Sequence, residues 1–90
     1  MKWQKIREHF PDQWLLVEAT KAYSEGGKRI VEDLIVIDTC PDSLSAMRSY
    51  GKLHRENPWS EYYVLHTDRE ELDIRERFWL GIRGRHTVSQ

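Results

Sequence analysis

An acidic residue closes the most apolar run of the chain. Residues 33–40 read DLIVIDTC, and the Asp38-Thr39 pair at the end of this run could begin an Asp-Thr-Gly motif. In aspartic proteases the glycine of that motif lets the backbone turn so that two carboxylates share one proton. Here Cys40 replaces the glycine, and a Pro-Asp pair that suits a helix start follows. We therefore interpret Asp38 as the end of a strand, and a hydrolase using Asp38 is the least favoured of three functional hypotheses.

Two further carboxylates, Glu18 and Asp33, lie on the two neighbouring strands of a predicted hairpin. On diagonal positions of one sheet face, such a pair could transfer protons or bind a cation. Both positions fall on the outer half of the hairpin, where water reaches the sheet. We expect both side chains to be hydrated rather than functional.

Metal-binding and nucleophilic residues are few and scattered. The four histidines, at positions 9, 54, 66 and 86, follow no ligand spacing, and no Cys-x-x-Cys pair exists. A structural zinc site is therefore not expected. No cofactor is expected either, because the Gly26-Gly27 pair lacks the lysine and the helix of a phosphate-binding loop. The single cysteine, Cys40, is predicted to be a small buried side chain.

Arginines near the C-terminus give the second hypothesis, a small nucleic-acid-binding regulator. The candidate contacts are Arg75, Arg77, Arg83 and Arg85. Arginines bind phosphates, and aromatic residues such as those at positions 78 and 79 stack on bases. Against this hypothesis, fourteen basic and fifteen acidic residues leave a net charge of −1, so the whole chain carries no field that attracts nucleic acid.

The elements that position these residues begin with a short helix and a long hairpin. The spacing of apolar residues predicts a helix over about residues 2–9, which Pro11 ends. Two β-rich segments around Gly26-Gly27 predict an antiparallel hairpin with a two-residue turn. In that register Glu25 faces Lys28, Lys21 faces Glu32, Ala19 faces Leu34, and Val17 faces Val36.

A packing helix and a third strand follow the hairpin. Residues 41–58 predict a helix that Asp42 or Ser43 caps, with Gly51 at a close approach to the sheet. Its predicted inner stripe is Leu44, Met47, Tyr50 and Leu53 or His54. The segment EYYVLHT predicts the third strand, and the remainder predicts a final edge strand or an extended arm, with residues 77–90 partly extended or flexible.

The leading hypothesis, a protein–protein interaction, comes from apolar surface that the predicted elements cannot cover. One main helix covers one face of the sheet, which leaves the short N-terminal helix to cover the other face, at Trp14, Leu16, Ile35 and Ile37. So short a helix cannot hide this surface, and unburied aromatic residues mark protein interfaces. The candidate partner surface is Trp14, Leu16, Ile35, Ile37, Trp59 and Trp79. The expected partner is another protein or a second copy, because symmetric dimers are the commonest oligomers.

Length and composition limit the remaining choices. Ninety residues with a hydrophobic fraction of 39% predict one domain spanning residues 1–90. A single cysteine points to a reducing compartment, and no segment has the roughly 18 apolar residues of a membrane span. The N-terminus mixes charged and apolar residues, unlike a signal peptide. We therefore expect a cytoplasmic protein without a membrane partner.

The segments FPDQWLLVEA and YYVLHT, with an apolar second strand and a helix between them, carry a resemblance across residues 10–67. This pattern resembles small bacterial proteins of unknown function with a strand–strand–helix–strand core. The resemblance implies a stand-alone α+β module without a known activity. The sequence thus predicts an α+β domain whose function is a non-enzymatic protein–protein interaction, in an accessory or regulatory role.

Overall fold

The computed structural model describes residues 1–75 of the chain. Its elements are α1 (Trp3–His9), β1 (Trp14–Glu25), β2 (Lys28–Cys40), α2 (Ser43–Glu56), β3 (Tyr62–His66) and β4 (Ile74–Arg75). The strands form one antiparallel sheet in the order β3-β1-β2-β4. The predicted α+β class and the order of its elements are confirmed. The predicted tail, residues 77–90, lies outside the described residues.

The hairpin turn forms where the two glycines predict it. Gly26 and Gly27 have φ angles of 60° and 80°, in the left-handed region that glycine enters without a steric penalty. Glu25 lies opposite Lys28, and further along Val17 lies opposite Val36, as predicted. Turn chemistry therefore sets the register of the central sheet.

Irregularities interrupt that register at three places. Lys21 lies opposite Asp33 rather than the predicted Glu32, although the Lys21 ammonium stays 3.4 Å from the Glu32 carboxylate. Near the hairpin base, Leu16 pairs with Asp38 while the next residue pairs with Val36, so Ile37 is an extra residue in β2. Such a bulge kinks the strand and redirects its side chains.

The sheet lies between the two helices, with a hydrophobic cluster on each side. On one side α1 supplies Trp3 and Ile6, which pack with Leu15, Val17, Leu34, Tyr63, Leu65 and Ile74. On the other side α2 supplies Ala46 and Tyr50, which pack with Leu16, Cys40, Tyr62 and Val64. The prediction that the short helix covers the Leu16 face is wrong. The side chain of Cys40 points into the second cluster, and the chain leaves β2 on that side to begin α2.

The start of α2 is fixed by a side-chain cap. Asp42 accepts a hydrogen bond from the Ser45 backbone amide at 2.8 Å, as predicted for a capping residue. That bond is the main cause that holds the pKa of Asp42 below its ordinary value. The helix ends at Glu56, two residues before Pro58. Both ends of α2 therefore follow from local sequence.

The inner stripe of α2 differs from the predicted one. Ala46 and Tyr50 are buried and Leu53 is half-buried, whereas Leu44 and Met47 are 59% and 42% exposed. The buried stripe at positions 46, 50 and 53 has the same helical spacing as the predicted stripe, but it lies on a neighbouring side of the helix. Leu44 and Met47 therefore lie on the solvent side of the helix.

Candidate partner-binding surface

The side of the sheet that carries α2 is only partly covered. Helix α2 lies over Leu16 of β1 and over Tyr62 and Val64 of β3. A helix with its side chains is about 10 Å wide and strands are about 4.8 Å apart, so α2 spans about two strands. The apolar residues of β2 on this side, Ile35 and Ile37, remain 44% and 38% exposed.

A groove runs between α2 and the base of β2. It has a volume of about 270 Å³ and is lined by Leu16, Ile37, Asp38, Ser49, Lys52, Leu53 and Glu56. The bulge at Ile37 explains this lining, because it turns two consecutive side chains, Ile37 and Asp38, toward the same side. Leu16 forms the floor with 0% exposure, so its assignment to a partner surface is wrong.

A further exposed aromatic residue lies beyond the end of α2. Glu18 lies between Ile35 on β2 and Tyr62 on β3 in the sheet register. The same Glu18 lines a recess with Trp59, which follows the helix-ending proline and is 90% exposed. We name Glu18, Ile35, Ile37, Asp38 and Trp59 together the open face.

The loop that carries Trp59 is tied to the hairpin. Arg29 donates hydrogen bonds to both Glu61 carboxylate oxygens, at 2.9 and 2.8 Å, and the Tyr63 hydroxyl donates to one of them. The backbone amide of Ala19 also donates to the Glu61 carbonyl at 2.8 Å. These contacts fix the loop and so hold Trp59 at the edge of the open face.

Acidic groups surround the exposed isoleucines. Glu18, Asp38 and Glu56 have no salt bridge among the contacts of residues 1–75. Lys52 is the cation among the residues that line the groove. The open face thus combines apolar side chains with an excess of negative charge.

Asp38 does share its groove with a second acid, Glu56. The aspartic-protease mechanism requires two carboxylates close enough to share one proton. Both side chains are exposed, and no hydrogen bond joins them within the described part of the chain. Glu18 and Asp33 are also separate, since Asp33 faces the N-terminal ammonium at 3.5 Å. Within residues 1–75, these carboxylates therefore do not form the proton-sharing pair of an aspartic protease.

The predicted residue Trp14 lies at the base of the hairpin rather than on the open face. In register it sits between Cys40 on β2 and His66 on β3, and its indole packs edge-on against His66 with ring centroids 5.1 Å apart. The Cα atoms of Cys40 and His66 are therefore about two strand spacings, about 10 Å, apart. Burial, assisted by the charges of Asp38 and Asp42, raises the pKa of the Cys40 thiol. This arrangement does not activate a nucleophile.

A cleft of about 580 Å³ beside Trp14 is lined by Asp12 and His66, which with Asp68 form a cluster of possible metal ligands among the described residues. One ligand atom each of Asp12, His66 and Asp68 lies within 4.8 Å of the others. The Asp68 backbone amide donates to His66 Nδ1 at 3.0 Å, so Nδ1 carries no proton. The neutral ring then holds its proton on Nε2, which faces Asp12 at 3.5 Å. A metal would have to displace either that proton or the amide, so the geometry favours a hydrogen-bonded histidine.

The remaining predicted residues lie at or beyond the end of the described chain. Arg75 is in β4, with its Nε 3.7 Å from Asp73, whose carboxylate also lies 3.3 Å from the Lys28 ammonium. Arg77, Arg83, Arg85 and Trp79 fall outside residues 1–75. Arg75 therefore has an acidic neighbour in the fold.

The structure also exposes a surface that the sequence reasoning missed. Leu44, Arg48, Gly51 and Arg55 recur at four- and three-residue spacing, with Met47 beside them, along the side of α2 that faces away from the sheet. The sequence contained this information, because α2 carries two stripes of residues at helical spacing and only one of them can face the sheet. The larger side chains of Leu44 and Met47 directed the prediction to the wrong one.

Comparisons with protein families, curated proteins and solved structures found no match to this chain. Neither helix in the described part of the chain has the length and apolar character that crossing a bilayer requires.

Proposed function

We propose that this protein is a non-enzymatic protein–protein interaction module that binds its partner through the open face. The observation that carries the proposal is the exposure of Ile35 and Ile37 side by side with charged residues on the α2 side of the sheet, with Trp59 exposed at the nearby sheet edge. Single exposed apolar residues are common on soluble proteins, but neighbouring ones rimmed by charges mark a contact surface. The proposed role is accessory or regulatory, and the single buried cysteine supports a cytoplasmic location.

The exposed area is large enough to matter for binding. An aromatic residue buries about 150–250 Å² at an interface, which at about 25 cal/mol per Å² gives Trp59 about 4–6 kcal/mol. The exposed parts of Ile35 and Ile37 add about 1 kcal/mol each. These gross gains must exceed the loss of translational and side-chain freedom on association. Trp59 is therefore the expected anchor residue, the type that dominates many interfaces.

The test compares full-length baits that differ only on the open face. The variant carries Ile35→Asp and Ile37→Asp. The matched control carries Tyr23→Asp, at a side chain of nearly equal exposure, 45%, near the hairpin tip. Proteins that bind wild type and control but not the variant, with all three baits equally folded by circular dichroism, are the expected result. A variant that retains every partner of the wild type would refute the proposal.

A further inference from the structure

The outward side of α2 has the composition of a docking helix. Leu44 and Met47 are exposed, and Arg48 and Arg55 lie about one and three turns beyond Leu44 along the same side. Neither arginine forms a salt bridge within residues 1–75. We name Leu44, Met47, Arg48, Gly51 and Arg55 together the outer flank.

A glycine in the outer flank is not explained by packing among residues 1–75. Gly51 costs about 1 kcal/mol relative to alanine in a helix interior. The prediction that it allows close approach to the sheet is wrong, because among the described residues an added Cβ would meet only the Arg55 side chain, at 3.7 Å. Gly51 instead leaves a shallow gap between exposed apolar and basic side chains, where another surface could approach α2 closely.

The outer flank and the open face are complementary in chemistry. The outer flank combines apolar side chains with two arginines, and the open face combines apolar side chains with two carboxylates. Given the proposed function, we propose that the partner is a second copy of this chain, whose outer flank docks on the open face. The same contact forms twice in a two-fold dimer, because each copy carries both surfaces.

The layer geometry permits this arrangement. Each α2 covers about two strands and leaves β2, about half a helix width, uncovered; a second helix beside α2 would lie over β2 and extend past its edge near the hairpin base, so the two α2 helices can lie side by side between the two sheets. Ser49 lines the groove between α2 and β2, and its small side chain does not obstruct a neighbouring helix. The dimer would bury Ile35 and Ile37 of both copies in one central layer.

The position of the charges fits the same arrangement. A two-fold axis that relates two facing sheets with their helices side by side runs along the helices, so the second α2 lies parallel to the first and at the same height. Asp38 lines the groove beside Lys52 and Glu56 of its own α2. The Arg55 of the second copy would therefore lie near Asp38, with its side chain directed from the outer flank toward the open face.

The experiment is a charge-exchange cycle on the full chain, with sedimentation equilibrium from about 1 µM to about 1 mM. Asp38→Lys and Arg55→Glu should each raise the dimer Kd about tenfold or more, since each places like charges together at two symmetric contacts. The double variant, Asp38→Lys with Arg55→Glu, should restore the Kd to within a few-fold of wild type. The matched control, Lys5→Glu with Glu8→Lys, exchanges a pair on α1 and should leave the Kd unchanged.

The outcomes separate this inference from the proposed function. A wild type that stays monomeric across the range, or a dimer that neither single variant weakens, would overturn the second copy as partner. So would two weakening variants whose combination does not recover. If the second copy is excluded but the bait carrying Ile35→Asp and Ile37→Asp no longer binds some other protein that the wild type binds, the proposed function stands while this inference fails. If that bait loses nothing, the proposed function itself fails.

Discussion

Replacement of Glu61 by glutamine tests how the loop that carries Trp59 is held in place. The native Glu61 carboxylate accepts two hydrogen bonds from Arg29 and one from the Tyr63 hydroxyl. The side chains of Arg29 and Glu61 are 22% and 18% exposed, so water screens their charges only in part. Glutamine preserves the shape of the side chain but removes the charge that these donors face.

The expected loss follows from that geometry. A hydrogen bond to a charged group contributes about 1.5–3 kcal/mol, and breaking a fully buried ion pair costs about 3–5 kcal/mol. Because the pair is partly solvated and glutamine still accepts one bond, we expect the free energy of unfolding to fall by about 2 kcal/mol. In a domain of this size the corresponding drop in Tm is about 8–16 °C.

Urea unfolding, followed by tryptophan fluorescence and by circular dichroism, measures this loss directly. The matched control is Glu8→Gln, because the Glu8 carboxylate lies 3.9 Å from Lys5 and its side chain is 69% exposed. That change should cost less than about 0.5 kcal/mol. If Glu61→Gln proves as harmless as Glu8→Gln, the Arg29–Glu61 pair does not hold the loop, and the argument for a fixed Trp59 loses its support.

Three further predictions concern residues near the open face and the hairpin base. Leu16→Ala should lower the free energy of unfolding by about 3 kcal/mol, whereas Ile37→Ala, at a side chain 38% exposed, should lower it by about 1 kcal/mol or less. Equal losses of unfolding free energy, measured by urea unfolding, would contradict the assignment of Leu16 to the core. Asp42→Ala should lower Tm at neutral pH by removing the cap of α2. Because the folded-state pKa of Asp42 is lowered, its contribution to stability is present above the ordinary carboxyl pKa of about 4 and is lost as pH falls through the folded-state pKa. A difference in Tm between wild type and Asp42→Ala that persists unchanged in acid would exclude the charged cap. His66 should carry its proton on Nε2 in nitrogen-detected NMR spectra at high pH, and a proton on Nδ1 would show that the Asp68 amide does not bind it in solution.

Features encoded over a few residues could be predicted from the sequence. The turn glycines, the Asp42 cap and the stop before Pro58 each act within one turn of chain, and all three lie where predicted. The register next to the turn is also correct. It departs locally at Lys21, is correct again from Ala19 to Val17, and shifts from Leu16 to the hairpin base. That shift arises because the bulge at Ile37 adds a residue to one strand only, and alternation in a single strand does not reveal it.

The placement of the helices could not be predicted, because it depends on contacts between distant segments. Local hydrophobicity favours Leu44 and Met47 as the buried stripe of α2, yet the smaller Ala46 packs against the sheet with 0% exposure. An alanine lets the helix approach the strands closely, which larger side chains at the contact would prevent. Which face of the hairpin each helix covers likewise depends on where the chain leaves the sheet after Cys40.

Three members of the predicted partner surface, Ile35, Ile37 and Trp59, are exposed for a reason other than the predicted one. The prediction held that the N-terminal helix is too short to cover them, whereas the structure leaves Ile35 and Ile37 open because α2 lies to one side over β1 and β3, and Trp59 is in the loop after α2. That difference matters for function, because an offset helix leaves β2 beside it open to a partner. The net charge of −1 conceals how the charges around this space are arranged, with carboxylates on the open face and arginines on the outer flank. Separated charges on a nearly neutral chain favour association between copies, since like charge does not keep the molecules apart while opposite patches attract.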